Sequence, residues 1–322
     1  MLNYPLKFVP ILKDKIWGGS KLVKNLHKKS DLEDIGESWE ISDVEGNVSV
    51  VQNGSLKGTS LRDLQASYKA EFIGKNNYAN FGNNFPLLIK FIDAKQDLSV
   101  QVHPNDALSK QRHNSFGKTE MWYILQADAG ARLILGFNET INAAKYVKLL
   151  EDKNIMSVLN GVPVKKGDAF FIETGTVHAI GAGIVLAEIQ QTSDITYRIY
   201  DFDRVDDQGN ERELHTELAV DALNFSDKID TDRNYSKSKN VLNTVATCQY
   251  FKTNFIPIKG TVTLDYTKTD SFVIFMCVEG SAEISIFGNT ETISFGETVL
   301  IPATAENVLI SSVGCELLEV TV

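Results

Sequence analysis

Alternating polar residues in one short apolar segment have the chemistry of metal ligands. In LSVQVHPND, which begins at residue 98, every second position carries a polar side chain: Ser99, Gln101 and His103. Alternate side chains of an extended strand point to the same face, so these three are predicted to face away from Val100 and Val102. Imidazole suits zinc, copper and iron, and an amide oxygen can complete such a site. The pattern predicts a barrel wall with a polar or metal-bearing interior.

Two further residues of this kind stand at the ends of predicted strands. Glu120 opens EMWYILQA, and His178 follows the apolar AFFIE and a glycine. With Gln101 and His103 they would form a Zn²⁺ site whose open coordination is filled by water or substrate. The same residue types also occur as hydrogen-bonded or salt-bridged groups without a metal, and spacing alone leaves both interpretations open. The remaining histidines lie in polar segments and are interpreted as structural: His27, His113 and His215.

The elements that must position these residues are mostly strands. Short runs rich in valine, isoleucine, phenylalanine and tyrosine, separated by glycine, aspartate or asparagine, are typical of strands. They occur at residues 86–94, 98–103, 121–127, 131–137, 169–173, 184–190, 195–202, 272–280, 281–288 and 296–303. Helices are predicted at residues 60–73, 141–152 and 213–225. The polar, aperiodic residues 227–240 are predicted to form a linker.

The strand pattern repeats along the chain. The segment from Glu120 resembles that from Ser271, and GDAFFIETGTVH from Gly167 matches GETVLIPATAEN, with His178 opposite Asn307. We therefore predict that Glu120 aligns with Ser271 and that the second copy lacks metal ligands. The predicted organisation is a catalytic domain over residues 1–238 with helical insertions and a degenerate C-terminal barrel over residues 239–322.

Residues 167–178 resemble the second sequence motif of the cupin superfamily. The spacing of the two glycines and the histidine fits, with Glu173 where a proline is usual; Pro302 keeps the proline in the second copy. The resemblance implies a mostly β fold with two jelly-roll (cupin) barrels and a few short helices. It says little about function, because one fold hosts many activities.

Taken together, the motifs resemble those of the type I mannose-6-phosphate isomerase family. The motifs LSVQVHP, GKTEMWYIL, GTVHAIGAG and EIQQTSDITYRIYDFDR follow the family's order over most of residues 1–204. The segments KIWGG and GESWEIS resemble its N-terminal signature, and the short chain resembles its compact bacterial branch.

The resemblance implies a site with one Zn²⁺ per chain, and residues for each role. Its metal ligands would be Gln101, His103, Glu120 and His178. Substrate would contact Ser99, Lys118, Arg198 and Trp17, and the catalytic residues would be Arg198, Glu188, Lys118 and Asp194. The implied reaction interconverts D-mannose 6-phosphate and D-fructose 6-phosphate by proton transfer between C2 and C1 through a metal-assisted enediol.

Several roles stay open at this stage. Arg198 could bind the phosphate, stabilise the enediolate, or simply pair with Asp194 four residues earlier. Glu188 lies on an apolar strand, where burial would raise its pKa towards neutrality and suit it as the base; alternatively it is a buried partner of Arg198 or Lys90. Asp194, Lys118 and a metal-bound water are the other candidates for the base.

Composition limits the partners. The chain has 322 residues and a formal net charge of −10, so most of its surface should repel nucleic acid and anionic membranes. No apolar run is long enough for a membrane helix, and three scattered cysteines form no CxxC pair, which favours the cytoplasm. An anionic sugar phosphate must then be held by a few local cations in a monomer or homodimer.

Two other functions fit parts of the pattern. An iron-dependent cupin oxygenase would use the two histidines and the glutamate as its metal triad, although Gln101, Lys118 and Arg198 argue against it. A non-catalytic sugar-phosphate sensor would use the same pocket.

Overall fold

Three antiparallel sheets make up most of the secondary structure in the computed structural model, which describes residues 2–32, 34–205, 208–226, 229 and 234–322. This confirms the predicted mostly β cupin fold. The first sheet is formed, from edge to edge, by β1 (Ile11–Gly19), β2 (Ile35–Ile41), β5 (Leu87–Ala94), β12 (Ile184–Gln191), β7 (Glu120–Ala127) and β10 (Ala169–Ile172). The second sheet is formed by β13 (Tyr197–Tyr200), β6 (Val100–Val102), β11 (His178–Ile180), β8 (Arg132–Phe137) and β9 (Leu159–Pro163). A small hairpin pairs β3 (Asp43–Val44) with β4 (Asn47–Val48).

The first and second sheets enclose an interior that contains both apolar and polar side chains. Because strand side chains alternate between faces, Trp122 and Ile124 point inwards to a core shared with Leu133 and Leu135 of the second sheet. Val100 and Val102 point the other way, into a core under the helices, as predicted. The inward face of the same strands also carries the polar residues of the predicted site.

The third sheet spans residues 243–321 and encloses a core of its own. It contains β14 (Asn243–Thr247), β15 (Lys252–Asp265), β19 (Asn307–Thr321), β16 (Val273–Ile286) and β17 (Asn289–Ser294), with β18 (Thr298–Ile301) paired to β16. The N-terminal segment joins it through Leu6, whose N–H and C=O both bond to Leu300 at 2.8 Å. The division between residues 238 and 239 stays a prediction.

The repeat is present, but one of its alignments is wrong. Gly167 and Gly296 both have φ of 83°, and His178 and Asn307 each begin a strand, as the repeat predicts. However, Ile172 pairs with Glu120 whereas Ile301 pairs with Val273, so Val273, not Ser271, occupies the position of Glu120. In the second copy β16 continues as a single strand, whereas β7 and β8 are separate strands in the first. Valine and asparagine there replace two of the predicted metal ligands.

Short helices cover the sheets. They are α1 (Lys21–Lys24), α2 (Leu61–Tyr68), α3 (Ala70–Ile73), α4 (Lys75–Phe81), α5 (Asp106–His113), α6 (Ala143–Glu151) and α7 (Thr216–Ala222), with a 3₁₀ turn at Ile155–Val158. The helix predicted over residues 60–73 is divided in two, because Lys69 has a φ of 49°. Helices α1, α4 and α5 are not predicted by the sequence pattern. The predicted linker 227–240 lies partly outside the described residues.

The three cysteines form no disulfide, and the described helices are short. Cys248, Cys277 and Cys315 are all free thiols. Among the described residues, no helix has the length and apolar character needed to cross a membrane.

Candidate metal and sugar-phosphate site

Three strands bring the predicted metal ligands together. His178 opens β11 directly opposite Gln101 on β6, and His103 follows the end of β6. Glu120 opens β7 in the facing sheet, on the inward side that also carries Trp122. The ligand atoms of His103, Glu120 and His178 all lie within 4.8 Å of one another, and all three residues are buried.

Backbone carbonyls orient both imidazole rings. His103 Nδ1 donates to the carbonyl of Ile195 and His178 Nδ1 to that of Thr176, each at 2.8 Å. A ring that donates from Nδ1 keeps a lone pair on Nε2, which is the usual arrangement for a metal-binding histidine. Both Nε2 atoms therefore face the same point as acceptors.

The distances between these atoms fit a shared ion. The two Nε2 atoms lie 3.1 Å apart, although neither has a proton to give the other. Glu120 Oε1 lies 3.5 Å from His178 Nε2 and has no hydrogen-bond partner within the described residues. Ligands of a tetrahedral zinc ion at its usual bond lengths are roughly 3.3 Å apart. The geometry of the triad therefore fits a bound metal ion.

Gln101 and Lys118 complete the cluster. Gln101 Nε2 donates to His178 Nε2 at 3.2 Å, so a rotation of the amide about its last bond would present the oxygen as a ligand. Lys118 Nζ donates to His103 Nε2 at 3.0 Å and to Glu120 Oε2 at 2.6 Å. The ammonium of Lys118 thus donates to two of the predicted ligand atoms and occupies their lone pairs.

Burial sets the charge of the cluster. It lowers the pKa of His103, together with the positive charge of Lys118, and it lowers the pKa of His178 to about 4, so both rings are neutral near pH 7. Burial raises the pKa of Glu120 to about 7, with Lys118 opposing the shift. Neutral imidazoles are the form that coordinates a metal.

The cluster borders a cavity of about 390 Å³, which Gln101 and Lys118 help to line and which reaches the edge strands β1 and β13. Four predicted residues line it in addition to Gln101, Lys118 and Glu188: Trp17, Ser99, Asp194 and Arg198. Trp17 and Ser99 are buried in its wall, whereas Asp194 is exposed. The structure therefore brings all ten predicted site residues to one cavity or to the adjacent cluster of predicted metal ligands.

Arg198 is placed to receive an anion. It lies opposite Gln101 in the sheet, and its Nη1 donates to the carbonyl of Glu213 at 2.7 Å. Its buried Nε has no hydrogen-bond partner in the described part of the chain, and there it also makes no ion pair with Asp194. Burial and the nearby Arg212 both lower the pKa of Arg198. The negative charge of a bound anion would offset both the burial of the guanidinium and its repulsion by Arg212.

The expected pKa of Glu188 is wrong in direction. Burial alone would raise it, but Lys90 Nζ lies 2.9 Å from Oε2 and Trp122 donates to Oε1 at 2.8 Å. These groups and Lys118 lower the pKa of Glu188 to about 2. The alternative of a buried salt bridge with Lys90 is therefore the one observed, and Glu188 is a weak base.

Loss of the buried Lys90–Glu188 pair should destabilise the fold. In Lys90→Met an unpaired carboxylate stays buried, and we expect the free energy of unfolding at pH 7 to fall by roughly 3–5 kcal/mol. The double variant Lys90→Met with Glu188→Met should lose less, since it buries no charge. The pKa of Glu188 is lowered from 4.5, so the pair stabilises the fold above pH 4.5 and this contribution is lost as the pH falls towards 2.

Denaturant unfolding from pH 7 to pH 2 measures this effect. The difference between the native protein and Lys90→Met should shrink as the pH falls. Equal losses in the single and double variants at pH 7 would show that the pair has no such role.

Several cavity residues were not predicted from the sequence. They are Lys13, Lys15, Trp39 and Arg212. The signal was available for β1, because Lys13, Lys15 and Trp17 alternate as Ser99, Gln101 and His103 do. That pattern was not interpreted as an inward face.

Facing β-sheets with a buried two-histidine, one-glutamate cluster beside a cationic cavity define a metal-binding protein of the cupin class. Residues 6–124 match the family model "Phosphomannose isomerase type I, catalytic domain", and residues 240–322 match "Mannose-6-phosphate isomerase, cupin domain". The mannose-6-phosphate isomerase of Streptococcus mutans is 35% identical over 304 residues, 94% of each chain.

Solved structures agree with this match. The crystal structure of mannose 6-phosphate isomerase from Bacillus subtilis has a TM-score of 0.89 and 31% identity, covering 99% of this chain and 100% of that one. A mannose 6-phosphate isomerase bound with zinc and yttrium has a TM-score of 0.76 over 98% and 99% of the two chains; at 18% identity this shows the fold alone. The chain belongs to the type I mannose-6-phosphate isomerase family.

Proposed function

We propose that the cavity interconverts D-mannose 6-phosphate and D-fructose 6-phosphate, with one Zn²⁺ held by Gln101, His103, Glu120 and His178. The activity follows from membership of the family. The observation that supports the site is the convergence of two unprotonated Nε2 atoms on the buried, unpartnered Glu120 Oε1.

Zinc is the proposed ion because of the donor set. Two imidazole nitrogens and a carboxylate are typical of catalytic zinc sites, and the neutral amide oxygen adds a fourth donor. The bound ion would supply Lewis acidity to the oxygens at C1 and C2. With neutral histidines and one carboxylate, the ligand set leaves a net charge near +1, which favours an alkoxide.

The proton must be moved by this chain's own side chains. Lys118 Nζ lies beside the ligand atoms, where C1 and C2 would lie, so we assign it the proton transfer. If His103 Nε2 held the ion, its lone pair would no longer be available to Lys118, and the N–H groups of Lys118 that do not bond to Glu120 Oε2 would face the substrate. Glu188 is paired with Lys90 and accepts a hydrogen bond from Trp122, so it would hold the cavity wall in place and would not accept the proton.

The remaining residues bind and orient the sugar. Arg198, with an unpartnered Nε in the described region, would stabilise negative charge on the substrate, and Ser99 would donate to a hydroxyl. Trp17 supplies an apolar wall beside the ring, and Asp194 lies at the exposed side of the cavity. The free cysteines support a cytoplasmic protein; the choice between monomer and homodimer stays a prediction.

A coupled assay on the purified protein tests the proposal. Mannose 6-phosphate should be converted to fructose 6-phosphate at an enzymatic rate. Absence of turnover in zinc-loaded protein would reject the function.

A further inference from the structure

The cavity contains more positive charge than its carboxylates neutralise. Six basic side chains reach the cavity, and four of them have a carboxylate partner: Lys15 with Glu37, Lys90 with Glu188, Lys118 with Glu120 and Arg212 with Asp201. Lys13 and Arg198 have none at ion-pair distance in the described parts of the chain. Asp194 also lines the cavity but is not at ion-pair distance from either cation in the described residues, so both are left for the substrate.

These two cations lie on opposite walls. Lys13 is on β1, the edge strand of the first sheet, and Arg198 is on β13, the edge strand of the second. Arg198 is also the register partner of the metal ligand Gln101, which places it near the ion. Lys13 lies opposite Glu37 in its strand pairing, so its register partner is not a predicted metal ligand.

Lys13 stands at the solvent side of the cavity. Along the inward face of β1, Trp17 is 4% exposed, whereas the side chain of Lys15 is 36% exposed and Lys13 is half-buried. Lys13 Nζ donates to the side chain of Asn47 and lies 4.9 Å from the centre of the Trp39 ring. An amide and an aromatic face hold the ammonium in place without neutralising its charge.

The substrate has two anionic positions that match this arrangement. Negative charge develops at C1 and C2 near the metal, and the phosphate dianion lies at the far end of the sugar, on C6. We propose that Lys13 binds the phosphate group at the mouth of the cavity while Arg198 faces the reacting carbons. This assignment rests on the proposed function and makes Lys13 a specificity-determining residue that discriminates phosphorylated from free hexoses.

Replacement of Lys13 should act on binding rather than turnover. A charge-assisted contact that is partly exposed is expected to change affinity by about 10-fold, so Lys13→Ala should raise KM for mannose 6-phosphate by that factor and leave kcat within about twofold. Lys13→Arg should restore most of the affinity. Lys148→Ala, an exposed lysine on α6, makes the same change in net charge and should leave KM unchanged.

Inorganic phosphate separates this assignment from the activity itself. Calorimetry should show phosphate binding about 10-fold weaker to Lys13→Ala than to the native protein or to Lys148→Ala. Unchanged phosphate affinity and unchanged KM in Lys13→Ala, or a loss confined to kcat, would overturn the assignment. Failure of the proposed function would be seen differently, as a native protein that binds phosphate but does not turn over the sugar.

Discussion

Replacement of His178 should remove the metal and the activity together. Its Nε2 is one of two unprotonated nitrogens beside the buried Glu120, so His178→Ala deletes a proposed direct ligand. Loss of residues that merely orient ligands already costs 10–100-fold, and we expect kcat/KM to fall by at least about 100-fold, with substoichiometric zinc. His103→Ala should behave in the same way.

The second copy of the repeat suggests a variant that preserves the fold. Asn307 begins β19 as His178 begins β11, so this backbone position accepts asparagine. His178→Asn should therefore unfold at a denaturant concentration close to that of the native protein and still lose zinc. The exposed His113, which contacts the Tyr197 hydroxyl at 2.8 Å, is the matched control, and His113→Ala should keep both zinc and activity. Full zinc content with full turnover in both His178 variants would disprove the ligand assignment.

Removal of Arg198 should reduce activity without removing the metal. Its guanidinium makes no ion pair within the described residues and lies beside Gln101, so an anionic substrate or transition state is its expected partner. Loss of one preorganised donor to a developing oxyanion costs about 10²–10³ in rate, and Arg198→Ala should lose kcat/KM by about that factor. Arg198→Lys should recover only part, because it keeps the charge but not the planar fork.

Arg112 provides the comparison for this variant. It pairs with Asp221 away from the cavity, so Arg112→Ala should have native kinetics. Zinc analysis must accompany the assay, since a variant that loses its metal would mimic loss of a substrate contact. Native kcat/KM in Arg198→Ala would assign this arginine to structure alone.

Patterns within single strands were sufficient to predict much of the site. The alternation of Ser99, Gln101 and His103 gave the correct inward face, and the repeat showed that the fold does not need a histidine at position 178. Both inferences need only the two-residue period of a strand.

Properties that depend on pairing between distant strands were not predicted. Glu188 was expected to have a raised pKa because its own strand is apolar, yet Lys90 on the adjacent β5 lowers it. The contact of Lys118 with His103 joins two segments whose approach is set by the packing of the two sheets. The misaligned Glu120–Ser271 match has a similar origin, because the position that corresponds to Glu120 is fixed by the pairing of Val273 with Ile301 on another strand.

The metal dependence of the isomerase rate tests the central claim most directly. Bound zinc and the rate of fructose 6-phosphate formation should be measured in the same samples while zinc is removed with a chelator and then returned. We predict that the rate falls in proportion to bound zinc, reaches background in the metal-free protein and recovers at one ion per chain. Full turnover in protein that contains no metal would contradict the account.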